Sequence, residues 1–133
     1  MRKTFLVLAL TFVPTLPTAA SADLVEGTGN YWLQKCEAPS GSLDSAVCLG
    51  FVMGLHRGFV YGSMVTWLTA GNITKSKNLS YDKLAQFYCL PAGVTNGQTQ
   101  AIFVKYLTQN PERRHEPGES LFVEALARAY PCR

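Results

Sequence analysis

Cys89-Leu90-Pro91-Ala92-Gly93-Val94-Thr95-Asn96-Gly97-Gln98 opens the stretch whose reading decides the fold, and Ala129-Tyr130-Pro131-Cys132 closes it. Thr95 and Gln98 have capping-box spacing: the hydroxyl can accept from the third helical amide while the glutamine side chain reaches back to the cap. This predicts a helix starting at Asn96. Ile102, Phe103, Tyr106 and Leu107 follow at helical spacing, and Asn110-Pro111 stops the helix. A second helix starts near Gly118, carries Leu121, Phe122, Ala125, Leu126 and Ala129, and ends at Tyr130-Pro131. Two helices joined by a short turn run antiparallel. The start of the first then lies beside the end of the second, where one disulfide between Cys89 and Cys132 would staple the hairpin shut.

The chain has 4 cysteines, and in a short exported chain that number reads as two disulfides with three possible connectivities. Cys36 ends a short helix over 30–36, Cys48 lies in the first turns of the next, and Pro39-Ser40-Gly41-Ser42 links them. The same antiparallel logic pairs Cys36 with Cys48. In the chain-entropy account the two loops are worth about 3 and about 4 kcal/mol, the larger for Cys89–Cys132. The sequence contains no C-x-x-C, which argues against zinc-ribbon, thioredoxin-like and haem-attachment chemistry.

Ser42 or Asp44 can cap a long helix over 45–68, ended by Ala70-Gly71-Asn72. A polar loop over 73–79 follows, carrying Lys75 and Lys77, and Ser80 can cap a short helix over 81–88. The pattern is all-α: a small disulfide-stapled bundle of four or five helices. Within the long helix Gly50, Gly54, Gly58 and Gly62 recur every fourth residue. Each costs the helix about 1 kcal/mol relative to alanine, so the set needs a compensating gain. A glycine on every fourth residue makes a smooth groove in which another backbone can approach closely. The approaching element is either another part of this chain, which puts Gly54 and Gly58 at close helix contacts, or a second copy across a two-fold seam. His56 and Arg57 near the middle of the helix disfavour a membrane span. They read as its polar flank, with the arginine stem lying over apolar surface.

The N-terminus reads as an export signal. Arg2-Lys3 is the basic region, residues 5–13 are the apolar region, and Ala20-Ser21-Ala22 offers a cleavage frame. This predicts a signal peptide over 1–22 and a single domain over 23–133. Removing Arg2 and Lys3 leaves ten basic residues against 9 acidic ones, so the formal charge falls from +3 to +1. The precursor's basic balance therefore carries no nucleic-acid reading, and no basic stripe with interleaved aromatics is present. Nor does the chain read as an enzyme. Its cysteines are expected to be oxidised, its two histidines lack zinc-ligand spacing, and no glycine-rich phosphate loop follows a strand. No cofactor is expected.

The segment Cys89-Leu90-Pro91 through Gly97-Gln98 resembles the Rap/Tai immunity-protein family. So do Val104-Lys105-Tyr106-Leu107, Asn110-Pro111-Glu112-Arg113-Arg114-His115 and Ala125-Leu126-Ala127-Arg128-Ala129-Tyr130-Pro131-Cys132. Cys48-Leu49-Gly50-Phe51-Val52-Met53-Gly54 resembles the family's other recurrent segment. The resemblance implies a periplasmic, non-enzymatic protein that binds and occludes a peptidoglycan amidase delivered by type VI secretion. It also implies a homodimer as the working unit, with no stable membrane insertion of the mature chain. On this scaffold the loop over 71–80, with Lys75, Lys77 and Asn78, is the first candidate for partner binding. Arg113, Arg114 and His115 in the turn between the last helices are the second. The alternative reading is a non-inhibitory periplasmic envelope or stress protein, chaperone-like, on the same fold.

Overall fold

A computed structural model describes residues 25–74 and 87–132. The signal-peptide reading falls outside these residues, as do Lys75, Lys77, Asn78 and all but the last two residues of the expected helix over 81–88. The described elements are α1 (Gly29–Glu37), α2 (Leu43–Thr74), α3 (Asn96–Gln109), a 3-10 turn (Pro111–Arg113) and α4 (Gly118–Ala129). No strand occurs among the described residues, so the expected all-α class holds.

Each boundary has a local cause. Thr28 caps α1 by accepting from the Tyr31 amide. Ser42, not Asp44, caps α2: its hydroxyl accepts from the Ser45 amide at 3.1 Å. Asp44 instead receives the Lys35 ammonium at 2.6 Å across the α1–α2 corner, and the intervening turn uses the left-handed backbone of Gly41, φ +85°. The Thr95–Gln98 capping box is complete in both directions. The chain then leaves α3 at Asn110, whose amide and side chain both donate to the Tyr106 carbonyl.

The long helix corrects one expectation. It passes through Ala70-Gly71-Asn72 and is helical as far as Thr74, the last described residue of this stretch, because Gly71 is not among the glycines with positive φ and makes no left-handed cap. Glycine weakens a helix, but it stops one only where the backbone turns left-handed or its carbonyls find other donors. At the other end of the expected short helix, Phe87 and Tyr88 are non-helical. They lead into Cys89, whose amide donates to the Tyr130 carbonyl at 2.9 Å.

The core lies between α3 and α4 and under the first turns of α2. Phe103, Leu107, Leu121, Phe122 and Leu126 are buried to 1% exposure or less, together with Cys48 and Val52 of α2. The Trp32 ring stacks on Phe51 at 3.6 Å between centroids, and Phe103 meets Phe122 edge-on at 5.5 Å. The strand-like lead-in to α1 is stitched to the α3–α4 turn: Gly29 donates to Glu116, Asn30 to Arg114 and Gly118 back to Gly27, at 2.8–3.0 Å. Disulfides Cys36–Cys48 and Cys89–Cys132 tie α1 to α2 and close the α3–α4 hairpin. This is the pairing that the antiparallel reading gives.

Candidate functional site

After Val52, α2 has no buried residue among those described, although it continues to Thr74. At about 1.5 Å per residue this is roughly 30 Å of helix. Its side chains are mostly apolar and uncovered: Val60 is 45% exposed, Tyr61 58%, Val65 57%, Leu68 48% and Ile73 76%. Soluble domains rarely leave an apolar face of this extent without a partner. By length and composition alone Leu43–Ile73 could also cross a membrane, but its first turns are committed to the core through Cys48 and Val52.

The glycine stripe lies on this uncovered part. A Cβ built at Gly50, Gly54, Gly58 or Gly62 meets no described atom within 4 Å. The intramolecular contact expected at Gly54 and Gly58 is therefore not made by any described element. Instead Gly54, Gly58 and Gly62 floor an open groove of about 430 Å³, walled by Leu55, Phe59, Thr66 and Phe87. Where glycines are truly crowded, the sequence pattern gave no sign of it. A Cβ at Gly118 would collide with the Trp32 ring, 2.7 Å from its Nε1, and one at Gly29 would stand 3.1 Å from the Arg114 Cα.

A second cavity of about 390 Å³ adjoins the groove, lined by His56, Phe59, Tyr88, Leu90 and Val94 among others. His56 is not a free polar flank. Its Nδ1 lies 3.2 Å from the Tyr88 hydroxyl, which is buried beneath it. Burial, and then the neighbouring Arg57 charge, push the His56 imidazolium below its ordinary range, and burial pushes the Tyr88 phenol up to about 12.

Arg113, Arg114 and His115 sit together at the far end of the α3–α4 hairpin. Arg113 donates in a fork to Glu116, at 2.8 and 2.7 Å, and also to Glu124 and the Tyr106 hydroxyl. Arg114 donates to the Leu107 and Thr108 carbonyls at 2.6 and 3.2 Å, satisfying the exposed end of α3. Both guanidinium groups are thus engaged in orienting the hairpin, and His115 is the exposed member of the trio. The Arg113 guanidinium holds the Glu116 and Glu124 carboxyls below their usual range.

These shifts fix the sign of the pH response. His56 binds its proton less readily folded than unfolded, so stability is full above about pH 6.5 and falls as acid charges the ring. Glu116 and Glu124 add a second loss as pH drops below about 4.3 through their lowered folded values. Thermal melts from pH 8 to pH 3 should show two declines, and His56→Phe should flatten only the upper one. A single decline, starting near pH 4 in the wild type, would contradict the His56 assignment.

Two disulfides in so small a chain place it outside the reducing cytosol. Neither the curated proteins nor the solved structures contain a match to this chain. A family profile does match, over residues 28–132, which takes in every described helix and both disulfides. The chain belongs to the Rap1a immunity proteins.

Proposed function

We propose that this protein is a periplasmic immunity protein that binds and occludes a peptidoglycan amidase effector of type VI secretion. It would be exported by a signal peptide over 1–22 and would act by binding rather than by catalysis. The observation that carries this reading is the family match over nearly the whole described chain, on a scaffold whose two disulfides and capped hairpin hold it rigid. A rigid scaffold presenting a polar loop is the usual arrangement for an inhibitor of an open cleft.

The working unit in this proposal is a homodimer built on α2. Gly54, Gly58 and Gly62 provide a groove, and the exposed Tyr61, Val65 and Leu68 provide a ridge beside it on the same helix. A groove and a ridge on one element are self-complementary, as a two-fold interface requires. The i±4 pattern suits helices crossing at a steep angle. The same uncovered apolar face is what favours the second reading, a non-inhibitory envelope protein that shields unfolded clients.

The toxin-binding contacts are assigned to Lys75, Lys77 and Asn78, with the Arg113-Arg114-His115 turn as the alternative surface. Replacing Lys75, Lys77 and Asn78 together by alanine should leave the melting temperature nearly unchanged. It should weaken amidase binding by more than about 1 kcal/mol, roughly five-fold in Kd. Isothermal titration against the cognate amidase reads both affinities. Full affinity in the triple variant would move the site to the hairpin turn, where His115→Ala is the next substitution to test.

A further inference from the structure

We propose that the Cys89–Cys132 disulfide is a redox latch. Its reduction releases residues 87–94 from α2, while the helical core and the Cys36–Cys48 bond persist.

The two disulfides differ in the access they give to a reductant. Cys48 is fully buried and Cys36 is 8% exposed, both inside the core cluster. Cys89 and Cys132 are partly exposed, next to the exposed Pro91 and Pro131, and Phe87 nearby is 65% exposed. A thiolate must reach a disulfide sulfur to attack it, so access favours reduction of the Cys89–Cys132 bond first.

They differ also in what depends on them. The Cys89–Cys132 bond fastens the segment that carries Tyr88, Leu90 and the left-handed turn at Gly93 (φ +89°). That segment meets the rest of the protein through the Cys89 amide on Tyr130, the Tyr88 ring buried in the core cluster with its hydroxyl at His56, Leu90 packed against that cluster, and edge-on contacts of Phe87 and Tyr88 with Phe59 at 5.8 and 6.4 Å. The α3–α4 hairpin does not need the bond to stay together. Phe103, Leu107, Leu121, Phe122 and Leu126 are buried between its helices, and Arg113 ties the turn to Glu124. Opening the latch therefore frees a short segment from α2 and leaves the bundle standing. Phe87 walls both cavities on α2, and Cys89 and Leu90 line one of them, so the latch sets the shape of the uncovered face.

The step balances with a dithiol as reductant. One thiolate attacks a sulfur of the Cys89–Cys132 bond and forms a mixed disulfide. The second thiolate resolves it. The dithiol leaves as a disulfide, and Cys89 and Cys132 each gain a proton and become thiols.

The oxidised mature chain is treated with dithiothreitol, and samples are alkylated at intervals, mapped by peptide mass spectrometry and followed by far-ultraviolet circular dichroism. Cys89 and Cys132 should be labelled at least about ten-fold faster than Cys36 and Cys48, with the helical signal retained. Amides of residues 87–94 should then exchange with deuterium as fast as those of unstructured chain. Simultaneous labelling of both pairs, earlier labelling of Cys36 and Cys48, or loss of helicity with the first pair would overturn the latch. The double variant Cys89→Ser, Cys132→Ser checks this without reductant. It should fold, keep Cys36–Cys48 and show the same fast exchange, and an unfolded variant would equally overturn the proposal.

Discussion

Gly118→Val should lower the unfolding free energy by about 3 kcal/mol, the upper end of what overpacking costs. Gly118 is the first residue of α4, buried where the helix start passes the Trp32 indole. Its amide donates to the Gly27 carbonyl at 2.8 Å, and a Cβ would sit 3.2 Å from that same oxygen. The ring cannot swing away freely, because it is stacked on Phe51 at 3.6 Å. Relief would require moving either the Gly27 backbone or the Trp32–Phe51 stack, and both seat α1 on the core. Gly118→Ala should fall short of this, since alanine recovers about 1 kcal/mol of helix propensity. Urea unfolding of the two variants beside the wild type gives the ordering. A Gly118→Val protein as stable as the wild type would mean that the α1–α4 contact is looser than described.

Gly58→Leu should have the opposite effect on the monomer and a large effect on assembly. Nothing described lies within 4 Å of a Cβ at Gly58, so leucine there starts without a clash against the described residues and improves the helix by nearly 1 kcal/mol. In the dimer proposed above, the same leucine fills the groove floor that the partner's ridge would occupy. The dimer dissociation constant should then rise by at least about 100-fold, or roughly 2.7 kcal/mol. Sedimentation equilibrium measures the assembly, and melts at several protein concentrations measure the monomer separately. A Gly58→Leu protein that dimerises like the wild type would remove the groove from the interface. A wild type that stays monomeric at high concentration would remove the seam altogether.

These two glycines also show where sequence reading succeeds and where it stops. The α3–α4 hairpin was fully legible, because its signals are local: a hydroxyl and an amide three residues apart, apolar positions at helical spacing, and Asn110-Pro111 and Tyr130-Pro131 as stops. The disulfide pairing followed from the antiparallel geometry of the two helix pairs. The glycine stripe of α2 was visible by its period, but a period says only that space is left, not what occupies it. Gly29 and Gly118 have no period. Their crowding arises where residues about ninety apart in sequence are brought together at the α1–α4 contact, and no local window contains that information. The end of α2 was misread for a related reason. Gly71 has the composition of a stop, but a glycine stop needs left-handed backbone, and Gly71 does not adopt it.

The candidate site divides in the same way. Arg113, Arg114 and His115 stood out as a charged cluster, and the structure does gather them in one turn. The acceptors of the two arginines are Glu116, Glu124, the Tyr106 hydroxyl and the last carbonyls of α3. Glu116 is three residues from Arg113 and was readable as a local partner, whereas Glu124 becomes one only once α4 folds back along α3. The His56–Tyr88 contact spans 32 residues and left no local signal, apart from the oddity of a histidine inside an apolar helix.

The immunity reading is tested most directly in the compartment where it would operate. A peptidoglycan amidase effector is directed to the periplasm of a sensitive bacterium, with and without co-export of this chain. Lysis is followed by turbidity, and complex formation is followed by co-purification of the oxidised protein. The account predicts that cells making this protein survive, that survival tracks a stoichiometric complex with the amidase, and that both are lost when the signal region is deleted. A folded, oxidised, exported protein that neither binds nor protects against any amidase effector of its host or of competing strains would contradict it.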